Sequence, residues 1–159
     1  MDLPTPSPEL FLLYQKKHND LLSLFSDCKT PEAIYEKIIM LGKSLPKPPL
    51  ELLSTKTENH IVKGCQSTVF IFSKIDLAGI MLYYIDSDAL ISSGLASLLL
   101  YIYQGEKAEF ILFCPPLFIS ELKLNMTLSP GRSNGLASMY SRMKQDALKL
   151  FLTLKNPPL

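Results

Sequence analysis

The stretch His60 to Ala89, HIVKGCQSTVFIFSKIDLAGIMLYYIDSDA, decides the fold. His60–Val62 and Thr68–Ile75 are β-branched and aromatic, the composition of strands, and Lys63, Gly64, Cys65, Gln66 and Ser67 interrupt them as a turn. Gly79–Ile85 is a further run of the same kind after a break over Lys74–Ala78. Runs separated by short turns pair with their neighbours, which predicts a short antiparallel sheet of about three strands in meander order. Asp86, Ser87 and Asp88 then offer cap chemistry to a helix on which Leu90, Ile91, Gly94, Leu95, Leu98, Leu99 and Ile102 keep one face apolar. That helix is expected to be central and buried.

Outward from this segment the remaining elements are helical. Pro4, Pro6 and Pro8 predict an extended lead-in over residues 1–9, and Leu10, Leu13, Leu21, Leu24 and Phe25 a first helix between about Ser7 and Ser26. Thr30 before Pro31 is a cap followed by proline in the first helical position, and Gly42 is expected to close this second helix. LPKPPL, residues 45–50, is too rich in proline for a helix or inner strand and predicts a stiff connector. Lys107–Phe113, Leu117–Leu124 and a long element starting near Ser133 complete the series, the last with Leu136, Met139, Tyr140, Met143, Ala147, Leu150, Phe151 and Leu154 at helical spacing. Helices bracketing contiguous strands imply an α+β fold, a short antiparallel sheet with helices packed on it, as one domain over residues 1–159.

Composition narrows the function classes. With 47% hydrophobic residues the chain can build a core unaided, and a formal charge of +1 supplies no field for nucleic acid or anionic lipid. The N-terminus, MDLPTPSPEL, has neither the basic nor the apolar region of a secretory signal. The longest greasy run, Leu95–Tyr103, falls short of the roughly 20 residues that span a bilayer. A cytoplasmic protein is expected, with neither nucleic acid nor membrane as partner.

Cys28, Cys65 and Cys114 cannot all pair within one chain and form no CxxC motif. Cys65 differs from the other two by following Gly64 in a turn between strands, where the chain can present a side chain to another protein and turn amides can stabilise the reactive thiolate. A small buried side chain at a strand end is the competing explanation.

Four motifs carry a resemblance that covers residues 10–155. VKGCQSTVF (62–70) resembles the cysteine signature of the SufE family, DSDA (86–89) its helix start, Gly94 with Leu98–Tyr103 its central helix, and LSPGRSNGLASM (128–139) the start of its last helix. Phe70 stands where that family commonly has tryptophan, and His60 where it often has asparagine or a similar polar residue. The resemblance implies a SufE/IscU-like fold and a sulfur acceptor that takes persulfide sulfur onto Cys65 from a cysteine desulfurase of the SufS or CsdA kind. It also implies that the acceptor stimulates that enzyme and passes sulfur on to Fe–S assembly through a scaffold such as SufBCD. Pyridoxal phosphate would belong to the desulfurase, with no cofactor or metal on this chain.

The resemblance further places Arg132 near the cysteine loop, where its guanidinium can stabilise a sulfur anion or grip a carboxylate such as Asp86 or Asp88. Gly64, Gln66, Ser67, Asp86 and Asp88 are expected to shape the loop and the partner contact. The aspartates are nevertheless read first as a helix cap, His60 as a weak candidate base for Cys65, and His18, among Lys16, Lys17 and Asp20, as a solvated surface residue. The methionines read as core filler. An IscU-like cluster scaffold, an autonomous cysteine hydrolase and a binding module with an incidental cysteine remain as alternatives, and homodimerisation stays open.

Overall fold

A computed structural model of the chain describes residues 6–159. Within it α1 (Pro8–Ser23), α2 (Pro31–Lys43) and the single turn α3 (Leu50–Leu53) precede a 3-10 turn, Glu58–His60. The strands β1 (Val69–Ile75) and β2 (Met81–Ser87) follow, then α4 (Leu90–Tyr103), α5 (Ala108–Phe113), α6 (Phe118–Glu121), α7 (Leu124–Thr127) and α8 (Pro130–Lys155). The three helices outside the central segment that exceed two turns begin alike. Ser7, Thr30 and Ser129 each accept a hydrogen bond from the backbone N–H three residues on, with proline entering the first turn behind them. Because Ser7 caps α1, Pro8 and Glu9 are helical and the expected lead-in is shorter than 1–9; its residues 1–5 lie outside the described residues. Because Ser129 caps α8, that helix starts three residues before Ser133.

The fold is α+β as expected, with an antiparallel sheet of two strands in register from Val69 against Ser87 to Ile75 against Met81. Val69, Ile71, Met81, Tyr83 and Ile85 alternate into the core. The third strand foreseen at His60–Val62 shrinks to one bridge, Ile61 opposite Phe70, with Val62 N–H donating to Val69 at 2.8 Å. Its neighbours are diverted into the 3-10 turn, where the His60 ring nitrogen Nδ1 accepts from Thr57 N–H at 3.1 Å. The free edge of β2 is covered by Gln104, whose amide bonds both Tyr83 N–H and Tyr83 C=O at 2.8 Å.

Helix α4 is buried on nearly every side and packs on α1, α2, α8 and β2. Ile91, Leu95, Leu98, Leu99 and Ile102 are in the core as foreseen, whereas Leu90 is exposed. The expected aspartate cap is absent. Ala89 occupies the cap position without a side-chain bond, because Asp86 and Ser87 continue the β2 ladder opposite Phe70 and Val69. Asp86 pairs with Lys56 at 2.6 Å, and Ser87 Oγ accepts from Ala89 N–H at 3.3 Å.

Gly42 does not end α2, which runs on through Lys43 to a Ser44 cap. It is buried against α4 instead. A Cβ on Gly42 would stand 2.2 Å from the Leu90 carbonyl oxygen, and one on Gly94 would stand 2.0 Å from that of Ile38. Two backbones meet there without side chains between them, which only glycine allows.

Two further expectations give way. Leu117–Leu124 is split into α6 and α7, separated by Lys123 at φ 55°. His18 is buried rather than solvated, because it lies four residues after Tyr14 on the inward face of α1 and stacks on that ring at 5.7 Å.

Replacing a helical glycine by alanine ordinarily adds about 1 kcal/mol of stability. Gly94→Ala is expected to do the reverse, costing about 1–3 kcal/mol or more through overpacking against the α2 backbone. Urea denaturation decides the sign, and a stabilised variant would mean that α2 and α4 do not approach so closely.

Candidate functional site

Cys65 lies in the loop Lys63–Ser67, between the Ile61 bridge and β1. Gly64 holds φ 91°, a backbone conformation that side-chain-bearing residues rarely adopt, and this bends the loop onto α8. The next residues then touch that helix and α4 in turn. Gly64 stands against Ser138, Cys65 against Gly135, and Gln66 against Gly131. Gln66 Oε1 accepts from Ser129 Oγ at 3.4 Å, and the hydroxyls of Ser67 and Ser92 share a hydrogen bond at 2.5 Å. Gly131 and Gly135, four apart, form one bare stripe on α8 where the loop can settle.

The thiol is half-buried, and its Sγ donates to the Gly135 carbonyl oxygen at 3.7 Å. Burial pushes the Cys65 thiol above its ordinary value, and a carbonyl acceptor favours the protonated form in the same direction. The expectation that turn amides stabilise a thiolate is therefore not met at rest: the partner atom at the sulfur is an acceptor, not a donor.

The family model described as SufE, Fe–S metabolism associated domain, matches residues 19–147. The chain belongs to the SufE family. Membership ties it to Fe–S metabolism. SufE-like protein 1, chloroplastic/mitochondrial, of Arabidopsis thaliana is 36% identical over 134 residues, 84% of this chain and 35% of that protein. An uncharacterized SufE-like protein of Synechocystis is 32% identical over 118 residues, 74% of this chain and 72% of that one. The chain thus spans about a third of the Arabidopsis relative and most of the Synechocystis one. The solution structure of a hypothetical protein from Thermus thermophilus superposes with a TM-score of 0.69 at 24% identity, over 86% of this chain and 96% of that one, and shares its fold.

Within this SufE domain the other residues singled out by sequence take distinct places. Arg132 is half-buried in the first turn of α8, three residues before Gly135 and so beside the stripe that carries the loop. Among the described residues it pairs with no carboxylate; Asp86, one of its two expected partners, is held by Lys56, and Asp88 is exposed. Lys56 also sits 4.1 Å over the Phe70 ring, so this phenylalanine anchors a cation beside the loop. His60 is engaged elsewhere, its ring tilted at 34° against Phe72 at 4.5 Å with Nδ1 occupied by Thr57. It is not placed as a base.

The remaining thiols occupy separate environments. Cys28 lies beyond α1 against the Ala33 carbonyl oxygen at 3.6 Å. Cys114 is buried beyond α5, and burial pushes it up to about 11. Among the described residues no three His, Cys, Asp or Glu side chains converge as metal ligands. Ser92, Ser129 and Ser138 support the loop without having been foreseen. The Gly131/Gly135 spacing, four residues apart, is the feature of the sequence from which a close approach in that region can be read.

Alkylation of Cys65 in the isolated protein should rise with pH through a midpoint above that of an unhindered thiol, because the protonated form is the one favoured by its surroundings. Mass-spectrometric peptide mapping across a pH series measures it. A midpoint below that of free cysteine would mean that the resting thiol is exposed to a stabilising charge.

Proposed function

We propose that the protein accepts sulfur from a pyridoxal-phosphate cysteine desulfurase onto Cys65, raises the turnover of that enzyme and delivers sulfur to an Fe–S assembly scaffold. The observation that supports this most is the placement of a single glycine-hinged cysteine, half-buried so that its thiol form is favoured, on a bare stripe of a helix. Such a thiol is protected when free and can be offered when a partner displaces the loop.

The transfer is thiol–disulfide exchange chemistry. The Cys65 thiol loses its proton as the loop leaves the Gly135 carbonyl, and the thiolate attacks the terminal sulfur of the desulfurase persulfide. A new S–S bond forms at Cys65 while the S–S bond on the enzyme breaks, and the enzyme's cysteine leaves as a thiolate that takes up a proton. No external oxidant or reductant is needed. Withdrawal of the persulfide to the α8 surface then guards it against water and oxidant.

Arg132 lies in the first turn of α8, three residues before Gly135, without a carboxylate partner among the described residues, and its guanidinium is proposed to stabilise the persulfide anion once the loop opens. Asp88, exposed at the start of α4, and the Gly64–Ser67 tip are proposed partner contacts. We place the protein in a reducing compartment such as the cytoplasm, where its three free thiols persist.

Incubation with a cysteine desulfurase and free cysteine should add about 32 Da per sulfur to Cys65, and Cys65→Ser should abolish the gain. Intact mass with peptide mapping reads both. Sulfur found on Cys114 or Cys28 with Cys65 unlabelled would overturn the assignment.

A further inference from the structure

The cysteine loop is held unevenly. At its tip the contacts are weak: a 3.7 Å thiol bond, a 3.4 Å hydroxyl bond and van der Waals packing on glycine. At its exit Ser67 is fastened to Ser92. On its entry side the segment Glu58–Lys63 faces α8 across an open groove of about 480 Å³, flanked on the helix by Ser138, Ser141, Arg142 and Gln145. Arg142 spans the gap.

Its guanidinium uses the whole fork. Nε donates to both oxygens of Asp146 at 3.0 and 3.2 Å, Nη1 to the Ile61 carbonyl at 3.3 Å, and Nη2 to the Asn59 carbonyl at 2.5 Å. Asp146 is fixed in turn by Ser73 Oγ of β1 at 2.6 Å. Both members of the ion pair are about three-quarters removed from solvent, at 24% and 20% side-chain exposure. Charge-assisted bonds of this kind outweigh the neutral ones at the loop tip. The chain that enters the loop is therefore referenced to α8 and β1 together, just before Lys63.

We propose that Arg142 is the positioning residue for sulfur acceptance: by clamping the Asn59 and Ile61 carbonyls to α8 it seats Cys65 against Gly135 and confines loop motion to the Gly64–Gln66 tip. Its bonds go to Asp146 and to the Ile61 and Asn59 carbonyls, so it acts through the backbone that carries Cys65. The proposal rests on Cys65 being the acceptor thiol, yet its test needs no desulfurase. Lysine would keep the charge for Asp146 but cannot reach two carbonyls in a fixed plane, so Arg142→Lys separates the fork from the charge. Asp146→Asn removes the anchor of the fork while leaving Arg142 in place.

In the full chain, each variant should shift the Cys65 alkylation profile toward the midpoint of an unhindered thiol and speed alkylation at least about threefold at mildly alkaline pH. Cys28, which none of these bonds touches, serves as an internal reference within each sample, and Lys144→Ala on the exposed face of α8 as a reference variant. A Cys65 profile unchanged in both variants, each folded by circular dichroism, would overturn the proposal. So would a parallel rise at Cys28 and Cys114, which marks general loosening. Failure of Cys65 to gain sulfur from a desulfurase, with these profiles shifted as expected, would instead count against the sulfur-acceptor role alone.

Discussion

The approach of α2 to α4 at Gly42 and Gly94 sets the frame in which the cysteine is held. Carbonyl oxygens of each helix stand where the other would carry a Cβ, so the crossing has no slack. This fixes the first turn of α4, and that turn carries Ser92, the hydroxyl to which the exit of the cysteine loop is tied. The apolar residues further along α4 then form the floor on which α8 and the sheet rest. The site is thus built on rigid elements, and only a short glycine-hinged tip is left weakly attached.

This division matches what a sulfur carrier requires. A persulfide must be reachable for an instant and protected otherwise, so the residue carrying it cannot be rigidly buried or freely exposed. Gly64 supplies the bend, the Gly131/Gly135 stripe supplies a shallow seat, and a carbonyl at the sulfur favours the unreactive protonated thiol. On the proposed function, activation comes from leaving the seat rather than from a resident base. His60, the nearest candidate by sequence, is spent on holding the turn before the loop.

Local signals carry much of this. Thr30 before Pro31 marks a helix start, helical periodicity marks α4 and the body of α8, and Gly64 before Cys65 marks the turn that holds the candidate thiol. Signals fail where one residue type serves two ends. Gly42 looks like a helix stop but serves a close crossing, and Asp86 and Ser87 look like a cap but extend a strand. The charged neighbours of His18 in sequence suggest a place in solvent, whereas its position is decided by the stacking on Tyr14 one turn earlier. Arg142 leaves no trace in the sequence, because its carbonyl partners lie 81 and 83 positions away and any residue could supply them.

If the thiol rests protonated on α8 and is activated by displacement, transfer and intrinsic reactivity must titrate differently. Single-turnover sulfur transfer from a persulfide-loaded desulfurase to the protein, followed across the neutral and alkaline range beside alkylation of the free protein, compares them directly. Transfer is expected to reach its plateau at a pH well below the alkylation midpoint of Cys65, since displacement from the seat removes the burial that raises it. A transfer profile that shares the midpoint of the free thiol would contradict this.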